Sequence, residues 1–174
     1  MHIHGIPDNG LPTKLGTFTY LSVNDNTLMI DRNKDPEDFL YEKCVAPGGK
    51  FKDKTESSED CAHREYFEET DLTLERPLIR RGRLFFDNKD RSFNGKPAEF
   101  NFLVYVFEAR AYTGVLNYNK DPKGTPIWVP NDRLRSLPME KGDHFILDLL
   151  EKDIMMNHRV VLSDSEEPRC ELLG

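Results

Sequence analysis

Scarcity narrows the function of this chain before any motif is considered. Cysteine occurs only at positions 44, 61 and 170 of 174 residues. An odd number at wide spacing argues against a disulfide framework or a structural zinc site and fits a reduced compartment. Long apolar runs are missing: none approaches the ~18 residues needed to cross a bilayer. Met1-His2-Ile3-His4-Gly5 lacks the basic and apolar regions of a secretion signal, so a cytoplasmic location without membrane association is expected. Basic charge is also short, with Lys+Arg 24 against Asp+Glu 31 and a net charge of −7. Binding along a nucleic-acid polymer requires a clustered excess of Lys and Arg. What remains open is a small anionic substrate reached through bridging metal ions. The five histidines show no ligand spacing.

The length and the 37% hydrophobic content suit one domain over residues 1–174, with an irregular arm at 1–15 and a polar, mobile tail at 163–174. Thr17 to Val23 and Thr27 to Asp31 flank the turn residues Asp25-Asn26 and predict a hairpin. A charged loop from Asn33 to Glu42 leads to a short strand, Lys43 to Ala46, stopped by Pro47-Gly48-Gly49. Ser57 or Ser58 caps a helix running to about Thr70. Strands are expected at Leu78 to Phe86, at Glu99 to Ala111 and at Ile127 to Val129, the second apolar on both faces and therefore central. Asn131 and Asp143 are expected to cap two further helices, through Leu137 and through Leu150. The domain is thus mixed α and β.

The informative stretch is Gly48-Gly49-Lys50, Glu56, then Arg64-Glu65-Tyr66-Phe67-Glu68-Glu69 and Leu72. Residues three and four apart share a helix face, so Glu65, Glu68 and Glu69 project together. Like charges so placed cost about 0.2–0.5 kcal/mol per pair unless countered. Mg²⁺ suits such a stripe, being held by a few carboxylates, waters and substrate phosphates. A glutamate stripe alone is usually a solvated face. The glycine pair shifts that balance, because missing side chains let main-chain carbonyls approach a ligand. Arg64 adds a guanidinium able to hold Glu56 in a fork and pin the loop to the helix.

These residues resemble the signature of the Nudix, or MutT-type, hydrolases: Gly, five residues, Glu, seven residues, Arg-Glu-apolar-x-Glu-Glu-x-Gly-apolar. Two departures stand out. Six residues, Lys50 to Thr55, separate Gly49 from Glu56, and Asp71 occupies the glycine position. The first bulges a loop without disturbing the helix face; the second asks a residue that tolerates the left-handed conformation to end a helix. Arg32, the Trp128-Val129-Pro130 strand end and the helix from Asn131 to Leu137 extend the likeness from about residue 17 to about 150. The resemblance implies an α+β Nudix fold, an α/β/α sandwich around a mixed sheet. It further implies Mg²⁺, or Mn²⁺, on Glu65, Glu68, Glu69 and the Gly48 carbonyl, with Asp121 the nearest match to a further acidic ligand. Glu56, Arg64, Glu65 and Glu68 would form the catalytic group, one glutamate serving as general base. Arg32 and Lys50 would bind phosphates.

The layout, including Gly142-Asp143, resembles the branch that hydrolyses nucleoside triphosphates, oxidised purine triphosphates of the 8-oxo-dGTP kind among them. Val45 and Ala46 stand where that branch carries a purine-reading Asn, so Asp143 is the expected reader of a base edge. Alternatives are a pyrophosphatase of ADP-ribose, nucleoside-diphosphate sugars or dinucleoside polyphosphates, and a non-catalytic nucleotide-binding regulator. A monomer or homodimer is expected. Trp128 reads as a core or edge residue, Cys44 and Cys61 as small buried ones, and Arg83 as a residue that could face substrate.

Overall fold

The computed structural model describes Ile3 and residues 5–174. Its strands are β1 (Thr13–Val23), β2 (Asn26–Asp31), β3 (Cys44–Val45), β4 (Thr73–Leu74), β5 (Ile79–Asp90), β6 (Ser92–Phe93), β7 (Lys96–Pro97), β8 (Asn101–Ala109), β9 (Tyr112–Thr113), β10 (Thr125–Pro130), β11 (Met156–Ser163) and β12 (Arg169–Leu172). Two α-helices, α1 (Ser58–Thr70) and α2 (Lys141–Glu151), and a 3-10 helix, Asn131–Ser136, complete it. Eight strands form one mixed sheet in the order β10-β2-β1-β8-β5-β11-β12, with β3 on β2. β8 is central: β1 runs parallel to it, Thr13 opposite Asn101 through Leu21 opposite Ala109, and β5 runs antiparallel on its other side. Its alternating side chains serve both layers, as the apolar pattern predicted. Val104 and Val106 meet Ile146, Leu147 and Leu149 of α2, while Phe107 joins Ala62 and Tyr66 of α1. The result is the expected sandwich.

α1 starts where its chemistry dictates. The Ser57 hydroxyl accepts the Asp60 N–H at 3.1 Å, and Glu59 and Asp60 lie in the electropositive first turn. It ends at Asp71, left-handed at φ 63°, whose N–H donates to the Phe67 carbonyl at 2.9 Å.

Several expectations are corrected. Asn131 caps nothing: its side chain accepts the Thr27 hydroxyl at 2.7 Å, and the short helix after it is 3-10. The N-cap of α2 is Glu140, so Asp143 sits inside the first turn. The C-terminal tail is not a loose appendage. β11 lies parallel to β5, β12 pairs with β11, and Leu173 packs against Ile6, Phe85 and Leu103. The N-terminal arm is tied down too, Asn9 Nδ2 donating to Asp87 Oδ1 at 2.5 Å and Asn101 donating to Asn9 at 2.8 Å; only Met1, His2 and His4 lie outside the described residues. Among the described residues no helix is long and apolar enough to cross a membrane.

Truncating Leu173→Ala should lower the unfolding free energy by about 2 kcal/mol in urea denaturation, since it removes buried methyl groups from the junction of both termini. An unchanged midpoint would mean the tail contributes nothing to the core.

Candidate active site

The segment Pro47-Gly48-Gly49 runs alongside β1 in extended form. Thr19 N–H donates to the Pro47 carbonyl and Thr17 N–H to the Gly49 carbonyl, both at 2.9 Å. The intervening Gly48 carbonyl accepts no hydrogen bond among the described residues, because alternate carbonyls of an extended chain point to opposite sides. Side chains would destroy this packing. A Cβ on Gly48 would lie 2.0 Å from the Thr17 carbonyl oxygen, and one on Gly49 would lie 2.2 Å from Glu65 Oε2.

Arg64 organises the helix face opposite. Its Nε and Nη2 hold Glu56 in a fork at 2.7 and 2.9 Å. Nη1 donates to Glu65 at 2.6 Å and to Glu68 at 3.2 Å, and Nη2 also reaches the Lys50 carbonyl at 2.9 Å. The Arg64 hydrogen bonds hold the Glu56 carboxyl below its usual range and drive the guanidinium pKa up. The six-residue loop absorbs its extra length without breaking this fork, helped by Lys52 N–H donating to Glu56 at 2.8 Å.

Glu65, Glu68 and Glu69 differ in setting. Glu68 is exposed, whereas burial raises the Glu65 pKa against the pull of Arg64. Glu69 is half-buried beside Gly48, whose N–H it accepts at 2.9 Å, and desolvation there pushes its carboxyl up to about 8. Asp121, on the loop before β10, lies close enough for its charge to raise Glu69 further. Its Oδ2 is buried without a hydrogen-bond partner, Arg32 Nη1 standing 3.7 Å away. Arg32 is also gripped by Asp38 through Nε at 2.9 Å and through Nη2, so its fork is spent inside the protein rather than offered to a phosphate.

No group of three acidic, histidine or cysteine side chains is already gathered as a metal cage among the described residues. Glu65 and Glu68 are instead turned onto Arg64. The donor set nevertheless fits a hard divalent cation: a buried carboxylate oxygen without a hydrogen bond, a half-buried second carboxylate, a free main-chain carbonyl and two further carboxylates are all oxygen donors. Glu65, Glu69, Asp121 and Gly48 line one cleft of about 920 Å³, floored by Phe18, Phe86 and Phe102.

Elsewhere in this cleft sits a second charged group that spacing alone did not reveal. Glu140 receives both Lys43 and Arg91. One turn on, the Asp143 carboxyl makes no hydrogen bond among the described residues. Burial lifts its pKa to about 7 although Arg91 and Lys43 oppose the shift. Glu140 and Asp143 at i and i+3 near a helix start were the available signal. Lys14 and Lys123 were also overlooked. Lys14 Nζ stands 3.7 Å and Lys50 Nζ 5.6 Å from the same Phe100 ring, and both Lys14 and Lys123 help lower the Lys50 pKa, after burial. Trp128 packs on Tyr112 at 5.9 Å between centroids, outside the cleft, and Arg83 donates to Asn157 at 2.9 Å, also away from it. Cys44 and Cys61 are buried.

A model of the NUDIX domain matches residues 13–150. The chain belongs to the NUDIX family. It is 35% identical over 108 residues to the uncharacterized Nudix hydrolase YvcI of Bacillus subtilis (strain 168), a match covering 62% of this chain and 64% of that protein. In fold it is similar to a MutT protein from Bacillus halodurans, with TM-score 0.73 and 24% identity over 91% of this chain and 97% of that one. It also resembles a bifunctional NMN adenylyltransferase/ADP ribose pyrophosphatase from Francisella tularensis complexed with AMP and a Mn ion. That likeness has TM-score 0.56 and 24% identity, over 83% of this chain and 43% of that one.

Two outcomes are expected for this NUDIX site. Gly49→Ala should displace Glu65 and reduce metal-dependent turnover by about 100-fold or more while the far-ultraviolet circular dichroism is retained, since a ~1 Å misplacement alone can cost that much. Full activity in this variant would show that Glu65 is free to move. For Asp143, ionisation near pH ~4 in the unfolded chain against about 7 when folded means the native state holds the proton more tightly. Its stabilising contribution is complete below pH ~4 and is lost as pH rises to ~7. Wild type should therefore lose a few kcal/mol relative to Asp143→Asn between pH ~4 and ~8 in urea titrations, and parallel curves would refute this.

Proposed function

We propose that this NUDIX protein is a divalent-metal-dependent pyrophosphohydrolase that splits a nucleoside triphosphate into a monophosphate and pyrophosphate. The observation that carries the reading is the junction of Gly48, Glu65, Glu69 and Asp121 at one cleft, with an Asp121 oxygen that accepts no hydrogen bond and an unused Gly48 carbonyl. These groups, with Glu68, would hold Mg²⁺ or Mn²⁺. When bound, such an ion activates water and offsets charge on the phosphates. The protein's own residues do the rest. Arg64 fixes Glu56 and the loop, and thereby the height of Glu65 against Gly49. Glu68, exposed to solvent and sharing Arg64 Nη1 with Glu65, would take the proton from attacking water.

The lysines favour a triphosphate. Among the described residues Lys14, Lys50 and Lys123 have no ion-pair partner, so positive charge is concentrated at the rim without an internal counter-ion. A terminal phosphate chain would supply it. Asp143, unpaired in the same cleft, would select a base by its donor and acceptor edge, and its pKa would let it present a proton or accept one near neutrality. The second reading, a pyrophosphatase of ADP-ribose type, is favoured by the cleft's size, about 920 Å³, which is toward the upper end for a small-molecule site.

Phosphate or pyrophosphate release should be followed on nucleoside triphosphates, oxidised triphosphates, ADP-ribose and dinucleoside polyphosphates, with Mg²⁺ or EDTA. Triphosphates should turn over best, EDTA should abolish the reaction, and Glu68→Gln should cut it by on the order of 100-fold or more. Preference for ADP-ribose would replace the substrate assignment. No turnover of any compound would leave a nucleotide-binding regulator as the function.

A further inference from the structure

Asp71 stands where the family signature has glycine, and its backbone takes the left-handed conformation at φ 63° that glycine would adopt without strain. A side chain is therefore retained where none is needed to end the helix. The Asp71 carboxylate accepts Asn117 Nδ2 at 2.8 Å and pairs with Lys120 Nζ at 2.7 Å. Both donors belong to the stretch between β9 and β10 that carries Asp121. The same stretch closes the helix end: Asn117 N–H donates to the Thr70 carbonyl at 3.0 Å, and a Cβ on Gly114 would lie 2.9 Å from the Asp71 carbonyl oxygen. Lys120 Nζ also lies 5.6 Å from the Phe67 ring centroid, and Lys34 Nζ donates to the Asp121 carbonyl at 3.0 Å.

We infer that Asp71 is a positioning residue, a latch that binds the loop of residues 114–121 to the end of α1 and so sets Asp121 relative to Glu69. This rests on the reading of Asp121 as an oxygen donor to the metal. Glu69 lies two residues before the latch and Asp121 one residue after Lys120, so both sides of the contact lead directly to a carboxylate of the site. In a chain with glycine at this position, the loop would lose both side-chain bonds to the helix end, keeping its main-chain bond to Thr70 and its contacts with Lys34 and Arg32. Partners that orient ligands typically change metal affinity by about 10–100-fold when removed.

The test uses the full chain, with wild type, Asp71→Gly, Asp71→Asn and Asp121→Asn compared by amide hydrogen exchange and by Mn²⁺ binding in calorimetric titration. Asp71→Gly should fold with an unchanged or higher Tm, because glycine suits the left-handed position. Its amides at 114–121 should exchange at least about tenfold faster, and its Mn²⁺ dissociation constant should rise about tenfold. Asp71→Asn, which keeps an acceptor for Asn117 but loses the charge pair with Lys120, should fall between. Unchanged exchange of the loop in Asp71→Gly would overturn the latch. A loosened loop with wild-type Mn²⁺ affinity in Asp71→Gly would overturn its link to the metal, and wild-type affinity in Asp121→Asn would overturn the reading of Asp121 as a donor on which that link rests. Neither result depends on turnover, so failure here is separable from failure of the pyrophosphohydrolase reading, which the Glu68→Gln comparison tests.

Discussion

The site depends on one close approach: the main chain of Gly48-Gly49 fits between β1 on one side and the Glu65 carboxylate on the other, with room for no Cβ at either glycine. From it follow the spare Gly48 carbonyl, the Gly48 N–H bond to Glu69 and the placing of α1 over the β1 strand. Because the contact is main chain against main chain on one face, its geometry is set by hydrogen-bond length rather than by side-chain rotamers. That is a suitable footing for a centre that must gather several carboxylates.

Gathering them is unfavourable without compensation, and Arg64 supplies it. A single guanidinium meets three carboxylates and a carbonyl, which uses all five of its donors. Lysine could not do this, having one compact charge and no fork. The arrangement also explains why an additional residue in the preceding loop is tolerated. The loop is anchored at Lys50 and Glu56 by the same side chain, and Lys52 to Thr55 are exposed between those anchors.

Much of this was legible in the sequence wherever local chemistry decides the outcome. The cap at Ser57, the extent of α1, the double-faced β8 and the fork between Arg64 and Glu56 all follow from spacing within a few residues. What escaped depended on distant partners. Met156–Ser163 has a strand's alternating burial, but its place beside β5 is a contact between segments far apart in the chain. Asp38 as the partner of Arg32 lies in a stretch that reads as plain charged loop, and no local pattern separates it from Asp35 or Glu37. Residue type alone marks Asp143 as a cap, yet the helix begins two residues earlier, at Lys141, after a Glu140 whose side chain makes no capping bond and binds Lys43 and Arg91 instead. The lysine group is assembled from β1, the glycine turn and the Asp121 loop, so only the folded sheet brings it together.

The pairing order of the sheet bears on how the chain is made. β5 has β8 on one side and waits for β11 on the other, so while residues 156–172 are still to be synthesised one row of its amide and carbonyl groups is open. An open, apolar edge of that kind recruits other strands. A nascent chain paused before residue 156 would therefore be at its most aggregation-prone with every candidate catalytic residue already made, and the last strands act as the cover that ends this exposure.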